Sequence, residues 1–186
     1  MRRIIIAVLM LGPFVVAQAP TRLESGAQVA AEIARARATV FIASPTMASL
    51  EVADALRLAV LRGVRVRLLV DPRYTEDPDS YAPGLDALQW AYGGQPDDAE
   101  RVAPYDPQRF IIRTALDPPH LVLIDDEVVL QGPYIERDNL PFDAGKTYVL
   151  RDASVYARRV DDFAARWRVG LDFFSLTTRH FSFREE

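Results

Sequence analysis

Apolar residues recur at helical spacing in four stretches of the chain. Three long stretches, at 25–38, 50–62 and 153–167, each place apolar residues on one side of a predicted helix. A shorter helical piece is predicted at 85–91, inside the otherwise irregular region 72–107. Ser25 precedes the first helix as an N-cap candidate, so the pattern marks where that helix begins.

Short apolar runs between these helices predict strands. They lie at 39–43, 64–71, 110–112 and 147–151, and the first is apolar enough for a strand buried on both faces. Helix, strand, helix and strand follow one another up to Asp71, which is a pattern of parallel strands joined by helical crossovers. The sequence therefore predicts an α/β fold.

The stretch 118–133 is predicted to be a β-hairpin. Two apolar runs flank the polar turn Asp125-Asp126-Glu127, and His120 heads the first run. Gly132 closes the second run, where a glycine allows the backbone to turn or to approach another group closely. We expect the rest of the chain to be organised around this hairpin.

Residues 1–17 have the pattern of an export signal. Arg2 and Arg3 form a basic start, an apolar run extends to Val16, and small residues favour cleavage after Ala17. The run is too short for a comfortable membrane span, although an uncleaved N-terminal anchor remains the alternative. The expected location of the mature protein is therefore secreted or periplasmic, without a transmembrane domain.

The composition of the chain limits the kinds of functional site that can be expected. The chain has 186 residues, which suggests one domain, and its net charge of -4 gives no global basic field for nucleic acid. It has no cysteine and only two histidines, His120 and His180, so neither disulfides nor a Cys-His metal site is expected. The tail 171–186 carries several phenylalanines and is expected to pack on the domain or on a partner.

The hairpin resembles the hallmark motif of the phospholipase D superfamily. That motif has His, one residue, Lys, four residues, Asp, then six residues and Gly-Ser, with Asn two residues after the Ser. Aligned on Asp125, its Gly falls on Gly132, its Lys on His120 and its His on Pro118. Aligning the family's His with His120 instead loses the Asp and Gly matches, so we prefer the first alignment.

Two further motif positions are also replaced. The Ser position holds Pro133 and the Asn position holds Ile135, so the scaffold of the motif is kept while most of its chemistry is absent. The first half of the chain is similar to the superfamily as well. Residues 62–71, Arg-Gly-Val-Arg-Val-Arg-Leu-Leu-Val-Asp, resemble its second strand and the turn before it.

The resemblance implies a fold and a domain plan. Members form an α-β-α sandwich, a mixed sheet with helices on both faces. We expect such a domain at 18–170, after the signal peptide 1–17 and before the aromatic tail 171–186.

The resemblance also implies a mechanism that needs no metal or cofactor. Two copies of the motif meet at one site, one His attacks phosphorus, the other protonates the leaving group, and Lys, Ser and Asn hold the phosphate oxygens. Single-motif members obtain the second copy by homodimerising. The expected partners are therefore a second copy, or an intact relative, and a phosphodiester ligand such as nucleic acid or phospholipid.

Two functions follow for this chain. The replaced positions favour a non-catalytic binding or structural module, with Asp125 and Gly132 as structural remnants of the motif. The alternative is a divergent metal-independent phosphodiesterase, a nuclease or phospholipase, that uses His120. A further hypothesis makes Arg65, Arg67 and Arg113 an anion-binding patch for DNA or lipid head groups, against the alternative of ordinary solvated charge.

Overall fold

The computed structural model describes residues 19–74, 77–93, 106–137 and 146–173. The predicted export signal, His180 and most of the aromatic tail lie outside these residues. The elements in chain order are β1 (Thr21–Leu23), α1 (Gly26–Ala34), β2 (Thr39–Ala43), α2 (Leu50–Leu61), β3 (Arg65–Val70), α3 (Ala82–Gly93), β4 (Phe110–Thr114), β5 (Leu121–Ile124), β6 (Val128–Gln131), β7 (Thr147–Arg151), α4 (Ala153–Val169) and β8 (Leu171–Asp172). Short 3-10 helices follow β3 at Pro72–Tyr74 and β6 at Pro133–Ile135.

One mixed sheet holds all eight of these strands, in the order β1-β7-β6-β5-β2-β3-β4-β8. The strands β2, β3 and β4 are parallel neighbours, and the remaining pairs are antiparallel. Helices α1, α2 and α3 pack on one face around Ile33, Leu56 and Ile42. Helix α4 packs on the other face, so the predicted α-β-α sandwich is confirmed.

The packing of α4 depends on a stack of aromatic rings. Phe41 of β2 stacks on Phe163 with 5.3 Å between ring centroids, and Phe163 stacks on Trp167 at 5.6 Å. Offset stacking of this kind adds to the apolar burial that holds a helix on a sheet. The predicted core positions Tyr156 and Phe163 of this helix are buried.

Several predicted boundaries differ from the structure. Ser25 is the N-cap of α1, since its hydroxyl accepts the backbone N–H of Gln28 at 3.3 Å, but the helix ends at Ala34 rather than 38. Helix α3 extends beyond the predicted 85–91 on both sides. On α2, three residues assigned to the apolar surface are about half exposed instead: Leu50, Leu58 and Leu61.

The chain continues past residue 170 as part of the same sheet. Leu171 and Asp172 pair with Thr114 and Arg113 of β4, and Phe173 is buried in the core on the α1–α3 side. Within the described ranges, every helix is too short or too polar to cross a bilayer.

Candidate functional site

Apart from Asp125, the motif positions lie at the edge of the sheet where the parallel strands end. Strands β2, β3 and β4 end there, and the antiparallel neighbour of β2, strand β5, begins there. We call this the carboxyl edge, and in α/β sheets it is where ligands usually bind. His120 lies there just before β5, opposite Gly132, whose backbone N–H donates to the His120 carbonyl at 3.2 Å.

His120 has a carboxylate beside it that the motif does not provide. Its Nδ1 lies 3.2 Å from Oε2 of Glu136, within ion-pair distance when the ring is protonated. The ring is oriented so that Nδ1 makes no hydrogen bond with any described residue. The His120 side chain is 35% exposed and that of Glu136 17%, so the pair is reachable from solvent while its carboxylate is largely sheltered.

Glu136 was not among the residues selected from the sequence. The backbone fixes its position, because its carbonyl accepts the N–H of Ala48 at 3.0 Å, just before α2. Its own N–H donates to the Pro133 carbonyl at 3.0 Å, which closes the 3-10 turn after β6. No family position falls on Glu136, so its role as the neighbour of His120 is visible only in three dimensions.

The other motif positions at this edge offer no charged or hydrogen-bonding side chain. Pro118 is buried, and Ile135 is fully buried in the core on the α1–α3 side. Pro133 begins the 3-10 turn and has no polar group on its side chain.

Gly132 is required by the geometry of its backbone. Its φ is 141°, and a Cβ atom placed there would lie 2.5 Å from Cα of Thr147 and 2.6 Å from the carbonyl oxygen of Lys146. The start of β7 therefore packs directly against this glycine. A glycine at this motif position has a structural reason that is independent of catalysis.

Asp125 lies at the other end of the hairpin, away from His120. Its carboxylate accepts the backbone N–H groups of Arg37, Ala38 and Thr39 at 2.7, 2.9 and 2.9 Å. Partial burial opposes ionisation of Asp125, but these three hydrogen bonds hold its pKa below the usual value. The residue fastens the hairpin turn to the start of β2, which is a structural role.

A second acidic cluster lies at the carboxyl edge, at the end of β3. The buried Asp71 carboxylate accepts from Nε and Nη2 of Arg73 at 2.9 and 2.6 Å, and from the backbone N–H of Asp117 at 2.9 Å. Hydrogen bonds from Arg73 are the main cause that lowers the pKa of Asp71 to about 2, although burial opposes it. Arg73 also binds the Asp117 carboxylate, and together the two carboxylates raise its own pKa.

The three predicted anion-binding arginines lie on β3 and β4, on the α4 face of the sheet, and Arg113 is one residue before the end of β4. Arg67 and Arg113 lie over the ring of Trp167 on the α4 face of the sheet, with centroid distances of 5.9 and 5.3 Å. Arg65 is exposed, two residues before Arg67 on the same strand. The structure thus places Arg67 and Arg113 against the same ring, with Arg65 two residues from Arg67, and no described contact joins any of the three to His120.

An open pocket of about 530 Å³ lies between α4 and the edge. Pro119 and Leu121, on either side of His120, form one wall, and Gln131 binds Nη2 of Arg159 at 3.0 Å on another. In the part of the chain that is described, no three His, Cys, Asp or Glu residues are placed to hold a metal ion.

Comparison with known proteins identifies the fold. No protein-family model matches the chain, and no curated protein matches it by sequence. Among solved structures, Nuc from Salmonella typhimurium, a phospholipase D family member, is 16% identical with a TM-score of 0.58, over 80% of this chain and 90% of Nuc. NucT from Helicobacter pylori is 14% identical with a TM-score of 0.59, over 83% of this chain and 98% of NucT.

TrmBL2, an archaeal chromatin protein whose structure shows a mode of DNA binding, has the same fold in part. It is 14% identical with a TM-score of 0.56, over 84% of this chain and 55% of TrmBL2. The chain therefore has the fold of the phospholipase D superfamily, as the resemblance of its sequence predicts.

Proposed function

We propose that this protein is a phospholipase D-like domain that has lost phosphodiester hydrolysis and serves as a binding or structural module. The observation that carries the proposal is the chemistry of the carboxyl edge. Where the family's motif has side chains that hold phosphate, this chain has His120 beside a carboxylate, Pro133, and the buried Ile135. Loss of one such electrostatic contributor costs an enzyme about 10²- to 10³-fold in rate, and here several are replaced together.

Most charged groups at this edge are paired with one another. Arg73 binds the carboxylates of Asp71 and Asp117, and the Glu136 carboxylate lies 3.2 Å from Nδ1 of His120 and 3.9 Å from Nε of Arg137. Arg166 donates to the carbonyls of Leu116 and Asp117. Arg73 is already shared between two of those carboxylates, so it is not available to an incoming phosphate. A phosphodiester would compete with these carboxylates for the cations at the position where the family binds its substrate.

Export and pairing belong to the same proposal. The apolar segment 4–16 after Arg2 and Arg3 supports cleavage after Ala17 and a secreted or periplasmic protein. Single-motif members of the superfamily assemble their site from two copies, which supports a homodimer or a pairing with an intact relative. N-terminal mass analysis of protein recovered outside the cytoplasm, and light scattering of the purified protein, test these two points.

A second candidate function is favoured by one specific contact. The 3.2 Å separation of His120 Nδ1 from Glu136 Oε2 places a carboxylate beside a histidine, although no hydrogen bond joins the two. A carboxylate that orients a histidine helps it elsewhere to activate a nucleophile or to act as a general base. In a symmetric dimer two such histidines would serve one site. This would be a metal-independent phosphodiesterase that uses His120 in place of the family's own histidine.

One experiment separates the two functions. The purified chain, treated with chelator, is tested on bis(p-nitrophenyl) phosphate, plasmid DNA and phosphatidylcholine, with His120→Ala and Glu136→Gln in parallel. A non-catalytic module gives no turnover above the His120→Ala background on any substrate. Turnover that survives chelator and is lost in His120→Ala overturns the proposal and establishes the enzyme.

A further inference from the structure

The α4 face of strands β3 and β4 carries three arginines. Arg65 and Arg67 are two residues apart on β3 and so point to the same face, and Arg67 reaches Trp167 of α4. Arg113 of β4 is in register with Leu69, which packs in the α4-side core. We call these three residues the arginine face.

Helix α4 covers the other half of this side of the sheet. It packs over β5 and β6, and it reaches β3 and β4 through Trp167 near its C-terminal end. Among the described elements, no further helix lies on this side of the sheet. The arginine face is therefore a ledge of sheet beside α4.

The hydrogen bonds of the arginine face fix its geometry without neutralising its charge. Arg67 donates to the carbonyl and the side-chain oxygen of Gln108 at 2.6 and 2.8 Å, and Arg113 donates to the carbonyl of Trp167 at 2.9 Å. These acceptors are all neutral. The Asp172 carboxylate lies 3.6 Å from Nε of Arg113, which makes no hydrogen bond within the described residues.

Arg67 is close enough to Arg65 and to Arg113 for their charges to repel its own. Burial lowers the pKa of Arg67, and the charges of Arg65 and Arg113 lower it further against the opposing effect of Asp106. The Arg65 side chain is exposed and makes no hydrogen bond or ion pair with the described part of the chain. Asp106 acts on Arg67 and Asp172 lies 3.6 Å from Arg113, so among the described residues the charge of Arg65 is the one left unbalanced.

We propose that the arginine face binds the phosphate backbone of single-stranded nucleic acid. Arg113 is paired with Leu69 of β3, which comes four residues after Arg65. At the rise of a strand, Arg65 and Arg113 are therefore about 13 Å apart along the strand direction. Arg65 stands apart from Arg67 and Arg113, whose guanidinium groups lie 5.9 and 5.3 Å from the Trp167 ring centroid. Positive charge at two separate points suits an extended polyanion, whereas a single phosphate needs groups that converge on one point. A groove of positive charge that follows the backbone is the usual basis of binding to single strands.

The shape of the ledge favours a flexible strand over a membrane. A helix is about 10 Å thick, so α4 rises above the sheet beside the arginines by about that distance. A flat bilayer resting on α4 could not follow the sheet beside the helix, whereas a flexible strand can bend onto the ledge and reach Arg65. Because Trp167 is already stacked on Phe163, we expect contacts to phosphates rather than to bases, and little dependence on sequence.

This inference rests on the binding role proposed above, but each of the two proposals can be disproved by its own experiment. His120 and Glu136 lie at the carboxyl edge, and substitutions of the arginine face do not alter them. A protein that hydrolyses phosphodiesters through His120 would overturn the proposed function while leaving the arginine face to be judged by its own test.

The test measures binding of a fluorescent single-stranded oligothymidylate to the full chain by anisotropy over a range of salt concentrations. The variants are Arg65→Ala, Arg65→Lys and, as a control, Arg57→Ala on α2, in the other helical layer. We expect Arg65→Ala to weaken binding by about 3- to 10-fold, the loss of one phosphate contact. It should also reduce the salt slope by about one, while Arg65→Lys keeps most of the affinity.

Three results would overturn the proposal. The first is the absence of oligonucleotide binding by the wild-type chain at low salt, and the second is an equal loss in Arg57→Ala. The third comes from sedimentation with vesicles containing phosphatidylserine. If the chain binds these vesicles through Arg65 and does not bind the oligonucleotide, the ligand is a membrane surface and not a nucleic acid.

Discussion

The buried carboxylate of Asp71 accepts the backbone N–H of Asp117 at 2.9 Å, and this bond ties the end of β3 to the segment that leads into His120. Arg73 completes the connection by binding both carboxylates. The position of His120 at the carboxyl edge thus depends on a cluster that belongs to a different strand. The contribution of this cluster to stability can be measured by unfolding experiments, which need no substrate.

Replacing Asp71 by Asn should destabilise the fold. The substitution removes a charged acceptor that is fully buried and serves four N–H donors, three from Arg73 and one from Asp117, while the partly exposed Arg73 loses its sheltered partner. Hydrogen bonds to charged groups are worth about 1.5–3 kcal/mol, and the exposure of Arg73 reduces this, so we expect a loss of about 1–3 kcal/mol. Urea denaturation of Asp71→Asn measures it.

The matched control is Asp54→Asn on α2. Its carboxylate also pairs with an arginine, Arg57, at 3.4 Å, but both side chains are about half exposed. Exposed pairs contribute about 0–1 kcal/mol, so this variant should unfold close to wild type. Equal losses in the two variants would show that the buried cluster has no special stabilising role.

Asp71 also predicts that the stability of the fold depends on pH in the acid range. The pKa of Asp71 is lowered from 3.8 to about 2 in the folded protein, so its stabilisation is present above the unfolded value and is lost as pH falls through that range. A shift of this size corresponds to about 2 kcal/mol. Between pH ~4 and pH ~2 the wild type should lose about that much more stability than Asp71→Asn. A pH-independent difference between the two proteins would contradict this assignment.

Asp125 gives a third prediction. Its carboxylate holds three backbone N–H groups at the start of β2, and its φ of 50° is one that Asn adopts readily. Asp125→Asn should therefore keep the turn but lose about 1–2 kcal/mol, because an amide offers one acceptor oxygen and no charge. Its neighbour Asp126, exposed and also at positive φ, is the control, and Asp126→Asn should change the free energy of unfolding by less than about 0.5 kcal/mol.

The hairpin and the sandwich were predictable because their signals are local. Apolar runs of strand length, the polar turn at Asp125 and the glycine at 132 all stand in one continuous stretch. The end of α1 at Ala34, before the predicted residue 38, could not be predicted from a local pattern. The N–H groups of Arg37, Ala38 and Thr39 are taken by Asp125, which lies more than 80 residues later in the sequence, so a tertiary contact decides where the helix gives way to the strand.

The predicted helix 85–91 is shorter than α3 for a different reason. Its first turn contains Pro83 and Gly84, which lower helix propensity and hide the pattern until Leu85. Proline is tolerated in the first turn, where its missing N–H has no helical partner, so the helix begins at Ala82. The pairings of His120 with Glu136, and of Arg67 and Arg113 with Trp167, join separate elements and have no local signal.

The last prediction concerns Gly132, whose backbone conformation and close packing both require a glycine. Gly132→Ala would place a methyl group 2.5 Å from Cα of Thr147, at a φ of 141° that residues other than glycine rarely adopt. Backbone strain and overpacking each cost about 1–3 kcal/mol, so thermal or urea unfolding should show a loss of at least about 2 kcal/mol. Gly84→Ala, in the first turn of α3 with no atom within 4 Å of the added methyl group, should be neutral or slightly stabilising. If Gly132→Ala is as stable as Gly84→Ala, the start of β7 can move away from the hairpin, and the glycine needs an explanation other than packing.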